Sequence, residues 1–376
     1  MISGRVVDGP QVGALRAEIV ETFGVADALL CGSGSLALEL ALRACGVRAG
    51  DETVIPTFCC TAVVPPILAV GAVPVLADIG AELNLTAETV IRVLTRKTKA
   101  IIVPHLFGNP AEIGAIVELT REKNICVIDD AAQALGATID GNLVGTFGDA
   151  GILSFGAEKV CFGLGGGAVV SGRRGFLDNH AGLDLTLPRL VPTLQKCMLT
   201  LFWRRWRGWT LPIYELIYCA DARNPEAPPS SYRKEQLANL NAAVALSLVE
   251  SLQANIETRR ARVQAYRELL GDLERLELIR HGPGSACLTQ VVRVAKNRST
   301  DDLASTVIEA LRSAGYEIQG SYLPMHRLLY CSMCVWDTLA YADKVWSNLI
   351  ELPCEPDVSL KQVEQIAAIV KASITS

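Results

Sequence analysis

The chain has 376 residues, of which 50% are hydrophobic and 20% charged, and a formal net charge of -5. That length and apolar content supply a large core, exclude wholesale disorder and predict about two or three domains. The acidic balance offers no general attraction to nucleic acid, so no nucleic-acid partner is expected.

The 12 cysteines are scattered, and many fall in apolar runs as small buried residues do. Met1-Ile-Ser-Gly-Arg5 has no secretory pattern, so a reducing cytoplasm is the expected location. Cys331-Ser-Met-Cys334 has no second pair and no nearby histidine couple, so no metal site is expected.

Ser35 to Cys45 repeats apolar residues at helical spacing. Val54-Ile55, Val73 to Leu76, Ala100 to Val103 and Ile125 to Ile128 are short apolar runs bounded by turn residues. Helical stretches at Thr61–Val70, Thr86–Leu94 and Ala111–Glu122 lie between them. This alternation predicts an α/β fold with a largely parallel sheet covered on both faces. Ala150–Phe155 and Gly167–Val170 read as a strand pair flanking a loop that carries Lys159.

Residues 190–220 are apolar and aromatic, with clustered cations at Trp203-Arg-Arg-Trp-Arg-Gly-Trp209. No uncharged run there reaches the ~20 residues that span a bilayer. Two readings stay open. One is a basic, Trp-rich helix making peripheral membrane contact. The other is an inserted hairpin packed on its own protein or on a sister subunit. Asn224 to Ser231 reads as an exposed link. Ala238–Leu273 resumes a long helical periodicity, and the tail fits a smaller α+β unit: strand-like Gln290–Arg293, helical Thr300–Ala314 and Leu360–Val370. The predicted division is a large domain at 1–250, with a helical insertion and linker at 190–231, and a small domain at 251–376.

Three segments bear on chemistry. Cys31-Gly-Ser-Gly-Ser35 precedes a helix, which suits either a phosphate cup or an ordinary Gly-Ser loop. Asp129-Asp130 ends a strand-like run; Asp130 could hold a proton on a pyridine nitrogen, or either residue could cap a helix. Gln133 follows three residues later. Lys159, in Ser154-Phe-Gly-Ala-Glu-Lys159 before Gly163-Leu-Gly-Gly-Gly167, carries the amine that can bond an aldehyde cofactor. Together they suggest pyridoxal 5'-phosphate (PLP).

In this order the segments resemble the DegT/DnrJ/EryC1/StrS aminotransferases, PLP enzymes of fold type I that act mainly on nucleotide-linked keto-sugars. The resemblance runs from about Asp8 to Lys371. Its most specific piece is Ile128-Asp-Asp-Ala-Ala-Gln-Ala-Leu-Gly136. Gly148 to Lys159 is similar to GDxxxxSFxxxK, and Val103 to Pro110, Tyr322 to His326 and Leu352 to Pro356 match further landmarks. The resemblance implies that Lys159 is catalytic and holds PLP, that Asp130 pairs with the ring nitrogen and that Gln133 contacts the ring oxygen. It places Ser35, the Leu36 amide and Ser154 at the phosphate, and Tyr322 and His326 near the substrate. It also implies a homodimer.

The chain departs from the family pattern at three places. Cys60 stands where an aromatic residue normally covers the ring, with Phe58 two residues earlier; either Cys60 covers the ring or a local shift brings Phe58 there. Leu164-Gly-Gly-Gly167 lacks the usual glutamate. Lys234 takes the place of the asparagine that reaches across the dimer to the neighbour's phosphate, where it could bind that phosphate as a cation or belong to a solvated link. The expected function is amino transfer from an amino acid, taken as L-glutamate, to a keto-sugar in glycan or secondary-metabolite synthesis. The alternatives are a non-sugar acceptor, or a PLP-binding regulatory or scaffold protein.

Overall fold

The computed structural model describes residues 5–180, 183–205, 232–295 and 303–375. Its first strands are β1 (Asp27–Cys31), β2 (Glu52–Pro56), β3 (Val73–Ala77), β4 (Thr98–Pro104) and β5 (Cys126–Asp130). A short ribbon, β6 (Thr138–Ile139) and β7 (Asn142–Leu143), precedes β8 (Ala150–Ser154) and β9 (Gly167–Ser171). Apart from the ribbon, these strands form one sheet in the order β1-β9-β8-β5-β4-β2-β3. The run β3-β2-β4-β5-β8 is parallel, and β9 lies antiparallel between β8 and β1.

Strands β5, β8 and β9 are buried along their whole length, as a sheet covered on both faces requires. On one face the helix Gly34–Ala44 lays Leu36 and Leu40 on Ile128 and Ile152. On the other, Ile113 and Ile116 of the helix Ile113–Thr120 pack with Val127. Alternation along β5 therefore sends Asp129 and Asp130 to opposite sides of the sheet. A disulfide joins Cys45, after the helix Gly34–Ala44, to Cys126 at the start of β5. The sequence placed both among apolar residues; only the tertiary fold brings them together.

The predicted helical stretch Ala238–Leu273 divides at Ser251 into Asn239–Glu250 and Leu252–Leu270. The Ser251 hydroxyl donates back to the carbonyls of Ser247 and Leu248, and this local competition accompanies the break. The second helix serves two cores. Leu252 and Ile256 pack with the large-sheet residues, whereas Val263, Tyr266 and Leu270 pack beneath a second sheet.

That sheet is antiparallel, in the order β10-β11-β13-β12, from β10 (Leu276–Leu278), β11 (Thr289–Val294), β12 (Gln319–Gly320) and β13 (Leu349–Pro353). The helices Leu303–Ser313 and Leu360–Thr375 cover its outer face, where Ile350 and Leu352 are buried. Leu349 points the other way, into the core shared with Phe58 and Tyr322. Glu351, two residues on, therefore shares the face turned to the large sheet. No described helix is long and apolar enough to cross a membrane. Residues 206–231, with Trp206, Trp209 and the predicted link, lie outside the described residues.

Candidate active site

The carboxyl ends of parallel strands are where open α/β sheets bind ligands. Here a cavity opens there, between the ends of β4, β5 and β8 and the start of the helix Gly34–Ala44. It collects Ser35, Cys60, Asp130, Gln133, Ser154 and Lys159 from distant parts of the sequence.

Each wall has a local cause. Ser33 caps the helix, its hydroxyl accepting from the Leu36 amide at 3.1 Å. That amide is thus engaged within the chain, and Leu36 itself is buried outside the cavity lining. Ser35 lines the cavity, and its hydroxyl donates to the Ala62 carbonyl at 3.4 Å. Ser154 ends β8 under the same helix start: a Cβ on Gly34 would stand 3.2 Å from the Ser154 hydroxyl. A Cβ on Gly167 would meet Gly34 and Ser33 at 2.8 Å, so only glycine lets β9 pass beneath the helix start.

The acidic pair divides its work. Asp130, at the cavity, accepts from the Ala132 amide at 3.0 Å. Burial raises its carboxyl above the ordinary range, against the opposing pull of that amide and of Lys159. Asp129 faces away and accepts from His105 Nε2 at 2.6 Å and from the Phe147 amide at 2.9 Å. His105 Nδ1 accepts from the Ala111 amide at 2.8 Å, which fixes the proton on Nε2. The pair anchors the end of β5 from behind, and sequence reading missed it. The signal was His105 itself, a polar residue directly after an apolar strand.

Gln133 lines the cavity and is held at both ends of its amide. Its oxygen accepts from the Phe107 amide at 3.1 Å and its nitrogen donates to the Tyr322 hydroxyl at 3.0 Å. Tyr322 stands behind Gln133, its ring stacked on Phe107 and edge-on to Phe58. Phe58 is fully buried in that aromatic cluster and does not line the cavity, whereas Cys59 and Cys60 do. Of the two alternatives for this wall, the structure places the cysteine there.

Three expected residues lie elsewhere. His326 bonds Thr57 at 2.8 Å through Nδ1 and Asp343 at 3.0 Å through Nε2, outside the lining. Lys234 pairs with Glu39 at 2.9 Å, together with Tyr232 and Arg43. Burial pushes the Glu39 carboxyl up, but these three partners outweigh it and hold it below the ordinary range. Tyr322 reaches the site only through Gln133. A further residue was not foreseen. Glu351, half-buried, accepts from the Ser321 hydroxyl at 3.2 Å. Burial pushes its carboxyl up to about 7, against the pull of Ser321 and Lys159.

The model of the DegT/DnrJ/EryC1/StrS aminotransferase family matches residues 1–177 and 231–371. The chain belongs to this family. It is 41% identical over 174 residues to the UDP-N-acetyl-3-dehydro-α-D-glucosamine 3-aminotransferase of Acidithiobacillus ferrooxidans, covering 44% of this chain and 47% of that protein. The match therefore spans about half of that relative's length. It is 27% identical over 372 residues to the GDP-perosamine synthase of Caulobacter vibrioides, covering 95% of this chain and 89% of that protein. The structure superposes on S. venezuelae DesV with a TM-score of 0.78 at 25% identity, covering 100% of this chain and 92% of that one. As a member of the DegT/DnrJ/EryC1/StrS family, the chain has the fold type I architecture expected from its motifs.

Proposed function

We propose that this chain is a PLP-dependent aminotransferase that moves an amino group from L-glutamate to a nucleotide-linked keto-sugar. The observation that carries the reading is the convergence of Lys159, Asp130, Gln133, Ser35 and Ser154 on one cavity at the sheet's carboxyl edge. The donor set fits the cofactor: an amine for its aldehyde, a buried carboxylate for its ring nitrogen, and two hydroxyls at a helix start for its phosphate. When bound, PLP supplies the electron sink that makes the donor's Cα–H bond labile.

The chain's own groups do the rest. Lys159 Nζ would hold the cofactor, and its amine would carry a proton to and from the reacting carbon. Asp130 keeps a proton on the ring nitrogen. Gln133, fixed by Phe107 and Tyr322, presents its amide to the ring oxygen. Ser35 and Ser154 anchor the phosphate, with the Leu36 amide contributing if Ser33 releases it. Cys60 would cover one side of the ring, and Tyr322 would act through Gln133.

Two further parts belong to the same proposal. The large domain at 1–250 and the small one at 251–376 meet through the shared helix Leu252–Leu270. The enzyme is a cytoplasmic homodimer, in which Lys234 would leave Glu39 to reach the neighbour's phosphate. The nucleotide carrier is supported by the names of the UDP- and GDP-sugar relatives.

Purified protein should carry a cofactor absorbance band that shifts when L-glutamate is added, and should then aminate one of a panel of keto-sugar nucleotides. A band that answers no amino donor would favour a regulatory or scaffold role. Amination of keto-cyclitols alone would move the acceptor outside the sugars.

A further inference from the structure

The helix Leu190–Arg205 has its apolar side turned outward. At about 100° per residue, Leu190, Leu201, Leu194, Met198, Val191 and Phe202 fall within an arc of about 120°. All six are exposed, Met198 by 69%, Val191 by 61% and Leu201 by 58%. Thr200, on the opposite side, is 3% exposed. The helix is fastened to the catalytic unit from that inner side. Lys196 Nζ lies over Gly165 in the turn after Lys159, and the Thr186 amide bonds the Lys234 carbonyl at 3.1 Å. The family model passes over residues 178–230, which include this helix.

We propose that this face docks on an anionic lipid surface, holding the enzyme against a membrane. Charge selects that occupant. From Leu185 to Arg205 the sequence has no carboxylate and, besides the inward Lys196, three cations (Arg189, Arg204 and Arg205), in a chain whose net charge is -5. A second copy seated face to face would bring two such segments together with no acid in either to receive them. Lipid phosphates receive them directly. Phe202 and Trp203 belong to the same run, and aromatic residues of this kind favour the headgroup boundary. The outward stripe supplies the apolar contact, and its length suits lying along the surface, since no described helix can cross.

The docking surface is independent of the reaction proposed above. Its test is flotation of the full-length, PLP-loaded protein with vesicles of phosphatidylcholine alone or mixed with phosphatidylglycerol. The wild-type protein should float with the phosphatidylglycerol vesicles and be released by salt. Leu194→Glu combined with Met198→Glu should lower the bound fraction roughly tenfold or more, while Leu194→Ile should retain it. Circular dichroism and the cofactor band should be unchanged in all variants, which separates lost docking from lost folding. Failure of the wild type to float, or equal binding by the double variant, would overturn the proposal. So would a vesicle-free dimer that the double variant splits, because the stripe would then be an interface between copies.

Discussion

Gln133 donates from Nε2 to the Tyr322 hydroxyl at 3.0 Å, and this bond ties the cavity wall at the end of β5 to the chain that follows β12. The amide oxygen of Gln133 is held at the same time by the Phe107 amide. Tyr322→Phe leaves the buried nitrogen of Gln133 without that acceptor and should lower stability by about 1–2 kcal/mol. It should also loosen the orientation of Gln133 and weaken cofactor retention. Thermal melting and dialysis of the bound cofactor read the two effects separately; unchanged values of both would dismiss the bond as a positioning contact.

Lys159→Ala should remove amino transfer entirely, since no other amine lines the cavity among the described residues. Stability should change little, because Lys159 is only half-buried. Single-turnover assays with L-glutamate check the first statement and urea unfolding the second. Residual transamination at the wild-type rate would assign the chemistry to another group.

Asp129→Ala should be costly although Asp129 faces away from the cavity. It strips a partner from His105 and from the Phe147 amide in a fully buried site. Leaving these two buried N–H donors without an acceptor costs about 1–3 kcal/mol each. Chemical denaturation should show this as a shift in midpoint with little change in slope. A loss below about 1 kcal/mol would mean that water replaces the carboxylate.

Glu351 should make stability depend on pH. Its carboxyl titrates near 7 in the folded chain, against 4.5 when unperturbed, because of burial. Between those values the folded protein keeps a proton that the unfolded chain has lost. Stability should therefore fall as pH rises through that window and level off above it, by up to about 3 kcal/mol. Glu351→Gln should flatten the profile and melt higher than wild type at alkaline pH. Parallel profiles for the two proteins would show that Glu351 keeps an ordinary carboxyl.

Much of the site was legible because its parts are local. The strand ending at Asp130, Gln133 three residues later, and Lys159 before a glycine turn each carry their pattern within a few residues. The turn needs glycine for a local reason, since Gly165 and Gly166 have φ of 104° and 119°. What was not legible depends on meetings between distant segments. Nothing near Asp129 announces that His105 will take it out of the cavity. Lys234 reads as a phosphate cation or a solvated link residue until Glu39 is found beside it.

The sequence by itself determined the alternation of strands and helices, and the order in which an amine, a carboxylate and two hydroxyls arrive for one cofactor. Spacing and turn chemistry suffice for that. Only the tertiary structure decided which side of β5 each aspartate faces, that Cys60 and not Phe58 lines the cavity, and that the Leu190–Arg205 helix turns its apolar side outward. Those outcomes rest on packing and pairing across the fold, where burial and complementary partners, rather than neighbours in the chain, set the energy.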